Sequence, residues 1–474
     1  MPYQSASTTQ IFECMSEQSA ISKHQSFLQD SEKMAFDKDH RATIAYNMSQ
    51  YEIAAKSGKA RFVNLPELRR RAALRKHYVL EHLEEHLKNF EHNFTSRGGK
   101  VIWAEDEEEA RRSILSIFEQ HYVKHVVKSK SMITEEIGLT ECLEKNGIES
   151  VETDLGEFIV QLTGERPYHI VTPAMHLSAR QVGEVFHKHF GLPEDSDPEE
   201  ITAFAREHLR EKFFKADAGI TGANFLVAET GSVSITENEG NALLSMSYPR
   251  IHIVVAGIEK VLASLEDLDM FWPLLSTHGT GQSLTAYNSL VSGPAQKGEG
   301  EGPRHMYVIL LDNGRSRLLG TTPQRRALSC IRCGACLNAC PVYCNIGGHA
   351  YGTVYSGPIG AVISPHLSGQ LREYIHLSYA SSLCGKCTEV CPVGIDLHQQ
   401  LLHNRRLAVK MKLPSRTERF GMKAYKMAMS KRKRLDMASP GVKNFIARTF
   451  FGKAWGPRRE MPRVVESFSH RNSQ

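Results

Sequence analysis

Apolar positions along the chain follow two alternating patterns after about residue 60. Short continuous apolar runs predict buried strands in KVIWA, YVKHVV, IESVE, YHIVTPA, GANFLVAETGSVSIT, RIHIVVAG and HMYVILL. Between them, apolar residues recur at three- and four-residue steps, as at Leu83, Leu87 and Phe90, and TEEIGLTECLEKNG predicts a further helix. This alternation indicates an α/β fold, with a parallel or mixed sheet covered by helices on its faces.

Two of the predicted helices have recognisable starts. Asp106 and Glu109 stand three residues apart before an apolar-periodic segment, and Ser178 and Gln181 do the same further along the chain. The first side chain of such a pair bonds to the amide three residues on, so the spacing predicts a helix N-terminus at both places. Residues 1–60, in contrast, are polar and lack sustained periodicity, which predicts a tail leading into the domain.

The length of 474 residues exceeds what one hydrophobic core usually serves, so we expect several modules. They are a polar N-terminal extension, an α/β domain, a cysteine-rich domain and a basic C-terminal module, over residues 1–55, 56–310, 311–400 and 401–474. No apolar run approaches the roughly 18 to 20 residues that cross a bilayer. The N-terminus has neither the basic nor the apolar region of a signal peptide, so we expect a cytoplasmic protein.

The net charge of +5 conceals a strong asymmetry. Residues 401–474 hold 19 Lys and Arg against 4 Asp and Glu, a net +15, and residues 1–400 carry the remaining −10. The run KRKR at 431–434 suits docking on a partner subunit, such as a quinone-linked one, or on an anionic membrane surface at the inner face. Few aromatic residues lie among these cations and no nucleic-acid motif is present, so we expect no nucleic-acid partner.

Eight of the ten cysteines fall between positions 330 and 391, in the stretches CIRCGACLNACPVYC and SSLCGKCTEVCP. Such clustering suits metal ligation in a reducing compartment better than a disulfide framework. The spacing C-x2-C-x2-C-x3-C-P is that of iron-sulfur ligands, in which three cysteines hold one cluster and the fourth ligates the other cluster. Zinc sites also use C-x2-C pairs, but the third cysteine and the x3-C-P ending favour iron and sulfide.

If the fourth cysteine of each stretch ligates the other cluster, the cysteines divide into two sets. The first set consists of Cys330, Cys333, Cys336 and Cys391. The second set has only three members, which are Cys340, Cys384 and Cys387. Ser381 stands where the second stretch would have its first cysteine, so the fourth ligand could be Cys344, the Ser381 hydroxyl or an exogenous group. We expect two 4Fe-4S clusters, with a 3Fe-4S cluster as the alternative for the second set if its fourth position is empty.

The two cysteine stretches are far apart for a compact bacterial ferredoxin. Forty-three residues, 341–383, separate Cys340 from Cys384, and this insert contains helical stretches. The module resembles the α-helical ferredoxin module in the iron-sulfur subunit of succinate dehydrogenase. We therefore expect an α/β sheet domain followed by an α-helical ferredoxin domain.

Several stretches together closely resemble the lactate utilization protein B family: VVKSKSMITEEIGL, VETDLGEFIVQL, CIRCGACLNACPVY, GGHAYGTVYSGPIGAVISP and LSYASSLCGKCTEVCPVGI. The resemblance runs from about residue 55 to the C-terminal WGPRREMPRVVESF. It implies a sheet domain similar in fold to CoA transferases and ribose-phosphate isomerases. It also implies two 4Fe-4S clusters that relay electrons as L-lactate is oxidised to pyruvate, together with separately encoded lactate-utilization partners. The family's ligand positions fall on the same two cysteine sets, whereas Cys344 and the first fifty residues depart from the family.

Two other classes of function stay open on the sequence. The α/β domain could be an enzyme acting on a CoA ester or a sugar phosphate, with Glu229 in AETGS as a carboxylate and with regulatory clusters. The loops GITGANFLVAETGS and THGTGQSL and the cations of KSKS at 128–131 could hold an anion, although none has the form of a nucleotide-binding motif. The other class is a nucleic-acid-binding protein with structural clusters. No flavin or nicotinamide fingerprint is present, so we expect hydride abstraction from lactate to occur elsewhere or at a cofactor on a partner.

Overall fold

The computed structural model describes residues 22–465 except 322, 368, 370, 415, 432–433, 435–436 and 453–459. The chain divides into two compact units, the first ending at Arg405 and the second beginning at Arg406. Part of the predicted N-terminal tail, residues 1–21, lies outside the described residues. No helix in the described part of the chain is both long enough and apolar enough to cross a membrane.

Two sheets form the centre of the first unit. The larger sheet consists of β1 (Lys100–Ala104), β2 (His125–Lys128), β3 (Glu149–Glu152), β4 (Ala218–Gly222), β7 (Ile251–Gly257) and β10 (His305–Leu311). The smaller sheet consists of β5 (Phe225–Val227), β6 (Ser232–Glu237), β8 (Val261–Leu262) and β9 (Tyr287–Val291). The strand orders are β1-β10-β7-β4-β2-β3 and β8-β5-β6-β9, and every neighbouring pair in the larger sheet is parallel. Six of the seven predicted strand segments are thereby confirmed.

The central strands of the larger sheet are apolar along almost their whole length. Every residue of β7 is buried, and so is every residue of β10 after the first. Alternate residues of β10 face opposite layers, because Ile309 belongs to one core cluster and Val308 to another. A parallel sheet that is covered on both faces needs such continuous apolar strands. The predicted α/β class with a parallel sheet is confirmed.

Residues 22–59 differ from the predicted polar tail. They form two helices, α1 (Lys23–Phe36) and α2 (Lys38–Lys59). Ser22 and Gln25 form a capping box at the start of α1, and α2 buries Ile44 and Met48 in the core of the cysteine-rich region. The buried apolar residues form only a narrow stripe on otherwise polar helices, so the sequence shows little hydrophobic periodicity here.

Ten helices between residues 65 and 280 pack around the two sheets. They are α3 (Leu65–Glu81), α4 (Leu83–Thr95), α5 (Glu107–His121), α6 (Met132–Glu136), α7 (Leu139–Lys145), α8 (Leu155–Thr163), α9 (Ala179–Phe190), α10 (Pro198–Lys215), α11 (Asn241–Ser247) and α12 (Leu268–Thr280). Asp106 caps α5 by accepting a hydrogen bond from the Glu109 amide, and Ser178 and Gln181 form a capping box at the start of α9. Both predicted helix starts are confirmed.

Two predicted elements are wrong in detail. The segment YHIVTPA is a turn and not a strand, because the Tyr168 amide donates to the Pro173 carbonyl at 2.9 Å and the His169 ring accepts from the Val171 amide at 3.1 Å. These local bonds occupy groups that a strand would offer to its neighbours. The helix predicted over TEEIGLTECLEKNG ends early and restarts, since Gly138 adopts a φ of +57° between α6 and α7.

The cysteine-rich region is built from short helices. They are α13 (Arg315–Leu319), α14 (Ala335–Asn338), α15 (Tyr343–Ile346), α16 (Gly357–Leu367), α17 (Leu371–Tyr374), α18 (Lys386–Glu389) and α19 (Leu397–Lys410). Ten of the eleven residues of α16 are buried, as expected for a helix that is apolar on all sides. The core around α16 is continuous with apolar side chains of α2 and α12, including Phe271 and Leu274.

The second unit contains α20 (Arg416–Met429) and α21 (Pro440–Ile446). Of the described residues in these two helices, none is buried. Five large apolar side chains of α20 are exposed beside its cations; they are Phe420, Met422, Tyr425, Met427 and Met429. Exposed apolar side chains next to a high positive charge mark a surface suited to contact with another body.

A buried network of charges joins the α/β domain to the cysteine-rich region. Arg315 donates two hydrogen bonds to Glu136, at 2.8 and 2.7 Å, and one to Glu259 at 2.6 Å. The Tyr355 hydroxyl also donates to Glu136, at 2.6 Å, and Arg332 lies 3.4 Å from Glu259. Burial acts to raise the pKa of Glu259, but Arg315 and Arg332 outweigh it and hold that pKa at about 2. Both carboxylates therefore stay charged and depend on Arg315.

Replacing Arg315 by Met should lower the free energy of unfolding by about 3 to 5 kcal/mol, because Glu136 and Glu259 lose their main partner while they stay buried. Urea unfolding of the anaerobic protein, followed by circular dichroism, measures the change. Arg70→Met is the control, since Arg70 pairs with Glu67 on the surface and its loss should not change the midpoint measurably. Equal midpoints for the two variants would contradict the role given to Arg315.

Candidate metal centres

The two cysteine stretches fold into loops of the same local shape. In the first loop Arg332 and Gly334 have φ angles of +60° and +79°, and α14 follows directly. In the second loop Leu383 and Gly385 have φ angles of +57° and +83°, and α18 follows directly. Two left-handed residues before a helical turn fold the chain back around a point, so each loop can present several side chains to one centre.

Ser381 holds the same place in the second loop as Cys330 holds in the first. The Arg332 amide donates to the Cys330 sulfur at 3.4 Å, and the Leu383 amide donates to the Ser381 hydroxyl oxygen at 3.1 Å. In both cases the donor is two residues after the acceptor and has a left-handed backbone. The side-chain oxygen of Ser381 is therefore the local counterpart of the Cys330 sulfur.

The first candidate set is brought together from both loops. Burial raises the pKa of the Cys336 thiol, and the neighbouring Cys330, Cys333 and Cys391 raise it further. Burial, together with Cys330, likewise raises the pKa of Cys391 to about 11. The Ile395 amide donates a hydrogen bond to the Cys391 sulfur at 3.3 Å, and this bond acts in the opposite direction. The four thiols are thus close enough to act on one another electrostatically.

The second candidate set also combines cysteines of both loops. Burial raises the pKa of Cys387 to about 11, with further contributions from Cys340 of the first loop and from Cys384. A narrow pocket is lined by these three cysteines together with Ser381 and Ser382. Cys340 and Cys387 are buried, whereas Cys384 is exposed. The structure therefore places three thiols and a serine hydroxyl around one small space.

Cys344 lies beside the second set but does not line its pocket. Its thiol donates to the Asn338 carbonyl at 3.4 Å. Burial and the neighbouring Cys340 raise the pKa of Cys344 to about 11. The thiol group is therefore close to the second set without pointing into the space that its members share.

Both sets fit iron-sulfur clusters by their chemistry. Soft sulfur donors, gathered in mostly buried loops and approached by backbone amides, are the surroundings in which such clusters are held. Burial raises the pKa of Cys336 and of Cys387, and the neighbouring thiols raise it further, so iron is the positive partner that would allow thiolates to sit together here. The loop carrying Cys391 is fixed from the α/β side, because Arg69 of α3 donates to the carbonyls of Cys391 and Glu389, both at 2.7 Å.

A cavity of about 440 Å³ opens at the carboxyl ends of β2, β4 and β7. Its walls include residues 129–133, 222–224 and 255–257, and also Gly279 and Cys333. In the strand order, β2 is followed along the chain by its neighbour β3 on one side and β4 is followed by strands toward β7 on the other, and parallel α/β sheets commonly bind ligands where the order reverses in this way. We call this space the switch-point cavity. Three stretches noted in the sequence, KSKS, GITGAN and THGTG, meet on its wall.

The carboxylates of the switch-point cavity were not found from the sequence. Asp154, Glu237 and Glu239 line the cavity, and burial together with Asp154 raises the pKa of Glu239 to about 7. Glu229, the carboxylate suggested by the AETGS motif, is exposed and does not line it. Its carboxylate accepts a hydrogen bond from the Leu265 amide at 2.9 Å. Glu229 thus has a structural partner away from the cavity.

The cationic residues near the first set were also missed. Arg332 lies inside the first cysteine motif, and its guanidinium stacks on the Tyr355 ring at 4.4 Å. Lys260 follows the strand RIHIVVAG and lines the switch-point cavity. The only sequence signal was position, since Arg332 falls between two cysteines and Lys260 follows the carboxyl end of a buried strand.

Two family models match separate parts of the chain. The family model of the LUD domain matches residues 87–311, and that of the 4Fe-4S dicluster domain matches residues 326–395. A solved DUF162 family protein from Deinococcus radiodurans is 15% identical and covers 48% of this chain and 98% of its own, but at a TM-score of 0.28 the match carries no weight.

Longer similarities cover most of the chain. Lactate utilization protein B of Shouchella clausii is 42% identical over 400 residues, which are 84% of this chain and 84% of that protein. The proteins of the same name from Bacillus cytotoxicus and Bacillus velezensis are 47% and 46% identical, and each match covers 74% of both chains. The family resemblance noted in the sequence is confirmed, and the chain belongs to the lactate utilization protein B family.

Proposed function

We propose that the chain holds two 4Fe-4S clusters and passes on electrons from the oxidation of L-lactate to pyruvate, together with other lactate utilization proteins. The observation that carries the proposal is that cysteines of the two loops lie close together, since Cys391 neighbours Cys336 and Cys340 lines one pocket with Cys384 and Cys387. Thiolate-bound clusters supply one-electron transfer. The names of the relatives support a role in lactate use with such partners.

In this proposal the surroundings of the two sets give them different tasks. Cys333, Cys336 and Cys391 of the first set are buried, and Cys333 borders the switch-point cavity. The second set includes the exposed Cys384, so it is the one that a partner protein can approach closely. The enclosed set suits electron transfer within the protein, and the exposed set suits exchange with a partner.

The fourth ligand of the second set is, in this proposal, the Ser381 hydroxyl. It lines the same pocket as Cys340, Cys384 and Cys387, and it is the local counterpart of Cys330. Cys344 lacks both properties, since its thiol donates to the Asn338 carbonyl and lies outside the pocket lining. An oxygen ligand among three thiolates gives the second cluster surroundings different from those of the first.

Iron content tests the assignment of Ser381. The unchanged anaerobic protein should contain about eight iron atoms, and Ser381→Ala should contain about seven and show the EPR signal of an oxidised three-iron cluster. Ser381→Cys should keep about eight iron atoms and change the EPR spectrum of one reduced cluster only. Cys344→Ala is the matched control and should leave both readouts unchanged. Loss of iron from Cys344→Ala alone, or no change in any variant, would contradict the assignment.

The second unit is proposed to bring the protein to a quinone-linked partner at the cytoplasmic face of the membrane. The sequence from residue 401 to residue 474 carries a net charge of +15, and among the described residues α20 exposes several large apolar side chains. Cations are attracted to anionic headgroups, and exposed Phe and Met side chains gain from burial at the boundary.

A strain that lacks only this protein, and has no second lactate oxidoreductase, tests both statements. Lactate-dependent oxygen uptake should fall to background and return with the full-length chain. A chain ending at Lys410 should restore less uptake and should leave the membrane fraction, because it lacks the basic surface. Normal uptake without the protein would refute the lactate role. Retention of the shortened chain in the membrane fraction would refute only the docking role.

A further inference from the structure

The switch-point cavity has the position and the size of a small-molecule site. It lies outside the carboxyl ends of three parallel strands, and its volume of about 440 Å³ falls in the range of ligand pockets. The cysteine-rich region closes one side of it through Arg332, Cys333 and Tyr355. A molecule in the cavity would therefore lie directly beside the first cysteine set.

The side of the cavity next to Cys333 carries unused positive charge. Arg332 and Arg315 share the carboxylates of Glu259 and Glu136, which balances the charges of these four residues. Lys260 is additional to that balance; it is half-buried, and in the described part of the chain its ammonium makes no hydrogen bond or ion pair. A half-buried cation that makes no ion pair is free to pair with an anion, so an anion at this place would be stabilised.

A second unmet group points to the same ligand chemistry. The Nη1 atom of Arg332 is buried and has no hydrogen-bond partner, and only 11% of the Arg332 side chain is exposed. Its Nη2 atom is 3.4 Å from Glu259, and stacking on Tyr355 fixes the plane of the guanidinium. A guanidinium held in one plane with a donor left over is suited to bind a carboxylate.

Other residues of the cavity lining have the reverse character. Asp154, Glu237 and Glu239 are among them, and carboxylates repel a second anionic group but accept hydrogen bonds from hydroxyls. Glu237 already accepts bonds from the amides of Ala242 and Leu243, at 2.7 and 2.8 Å. The cavity thus favours a molecule with one carboxylate and a hydroxyl over a polyanion such as a nucleotide.

We propose that the switch-point cavity binds a short 2-hydroxy acid, or the matching 2-oxo acid, with its carboxylate between Lys260 and Arg332. The choice of ligand rests on the proposed lactate function, whereas the anion site rests on the unmet groups of the cavity. The site lies in the α/β domain of this chain, so the substrate or product of the oxidation is held beside the first cysteine set.

Calorimetry on the full-length, cluster-loaded protein under anaerobic conditions tests the proposal, with L-lactate and pyruvate as probes. At least one of them should bind at millimolar concentration or below. Lys260→Met should weaken that binding by about tenfold or more, the loss expected for one charge-assisted hydrogen bond. Lys297→Met is the control, because Lys297 is exposed and does not line the cavity, and it should bind like the unchanged protein.

A second variant covers the case in which Lys260→Met does not fold, as judged by iron content and circular dichroism. Lys130 lines the cavity from the loop after β2, where it donates to the Val171 carbonyl, and Lys130→Met should also weaken binding. Bound lactate or pyruvate should change the EPR spectrum of the reduced protein, because the cavity borders Cys333.

Several results would overturn the proposal. One is no binding of either acid at millimolar concentration, and another is binding of CoA or inorganic phosphate in place of both acids. A third is a Lys260→Met protein with a changed reduction potential and unchanged lactate affinity, which would assign Lys260 to balancing the charge of the thiolates. If the clusters are reduced by lactate through partner proteins while this chain binds no acid, the proposed function stands and only the cavity assignment fails.

Discussion

The close approach of the two cysteine loops is the constraint on which the cysteine-rich region depends. Cys391 lies beside Cys330 of the first loop and Cys340 lies beside Cys384 and Cys387 of the second, so the segment between the loops must bring them face to face. The buried helix α16 supplies the packing for this return. Arg69 then fixes the carbonyl of Cys391 to the first helix of the α/β domain. The geometry of the candidate centres is therefore a property of the whole first unit.

The buried charges around Glu259 connect this constraint to the sheet. Glu259 follows β7, and its carboxylate binds Arg315 and approaches Arg332 between two of the cysteines. The carbonyl of Glu259 also accepts a hydrogen bond from the buried Lys76 of α3, at 2.7 Å. Strand ends, the first cysteine loop and the wall of the switch-point cavity thus share one set of ionic contacts. Removing one partner from these contacts would leave another buried charge unpaired, which is costly.

The sequence predicted those features that local rules determine. Asp106 and Ser178 marked helix starts, continuous apolar runs marked the central strands, and cysteine spacing divided the thiols into the two groups that the structure brings together. It failed where composition alone does not decide the structure. YHIVTPA has the composition of a strand, but local hydrogen bonds and the packing of Tyr168 against Tyr343 make it a turn. The sequence indicated three stretches that could hold an anion, but not that they form one cavity, since they meet only after the sheet has formed.

The crossed division of the cysteines is tested most directly by comparing EPR spectra of three variants after reduction under anaerobic conditions. Cys333→Ala removes a member of the first set, Cys387→Ala removes a member of the second, and Cys391→Ala removes the cysteine in question. If the loops exchange ligands, the spectrum of Cys391→Ala will match that of Cys333→Ala, although Cys391 and Cys387 share a loop. A match to Cys387→Ala would show that each loop holds its own cluster and would contradict the account.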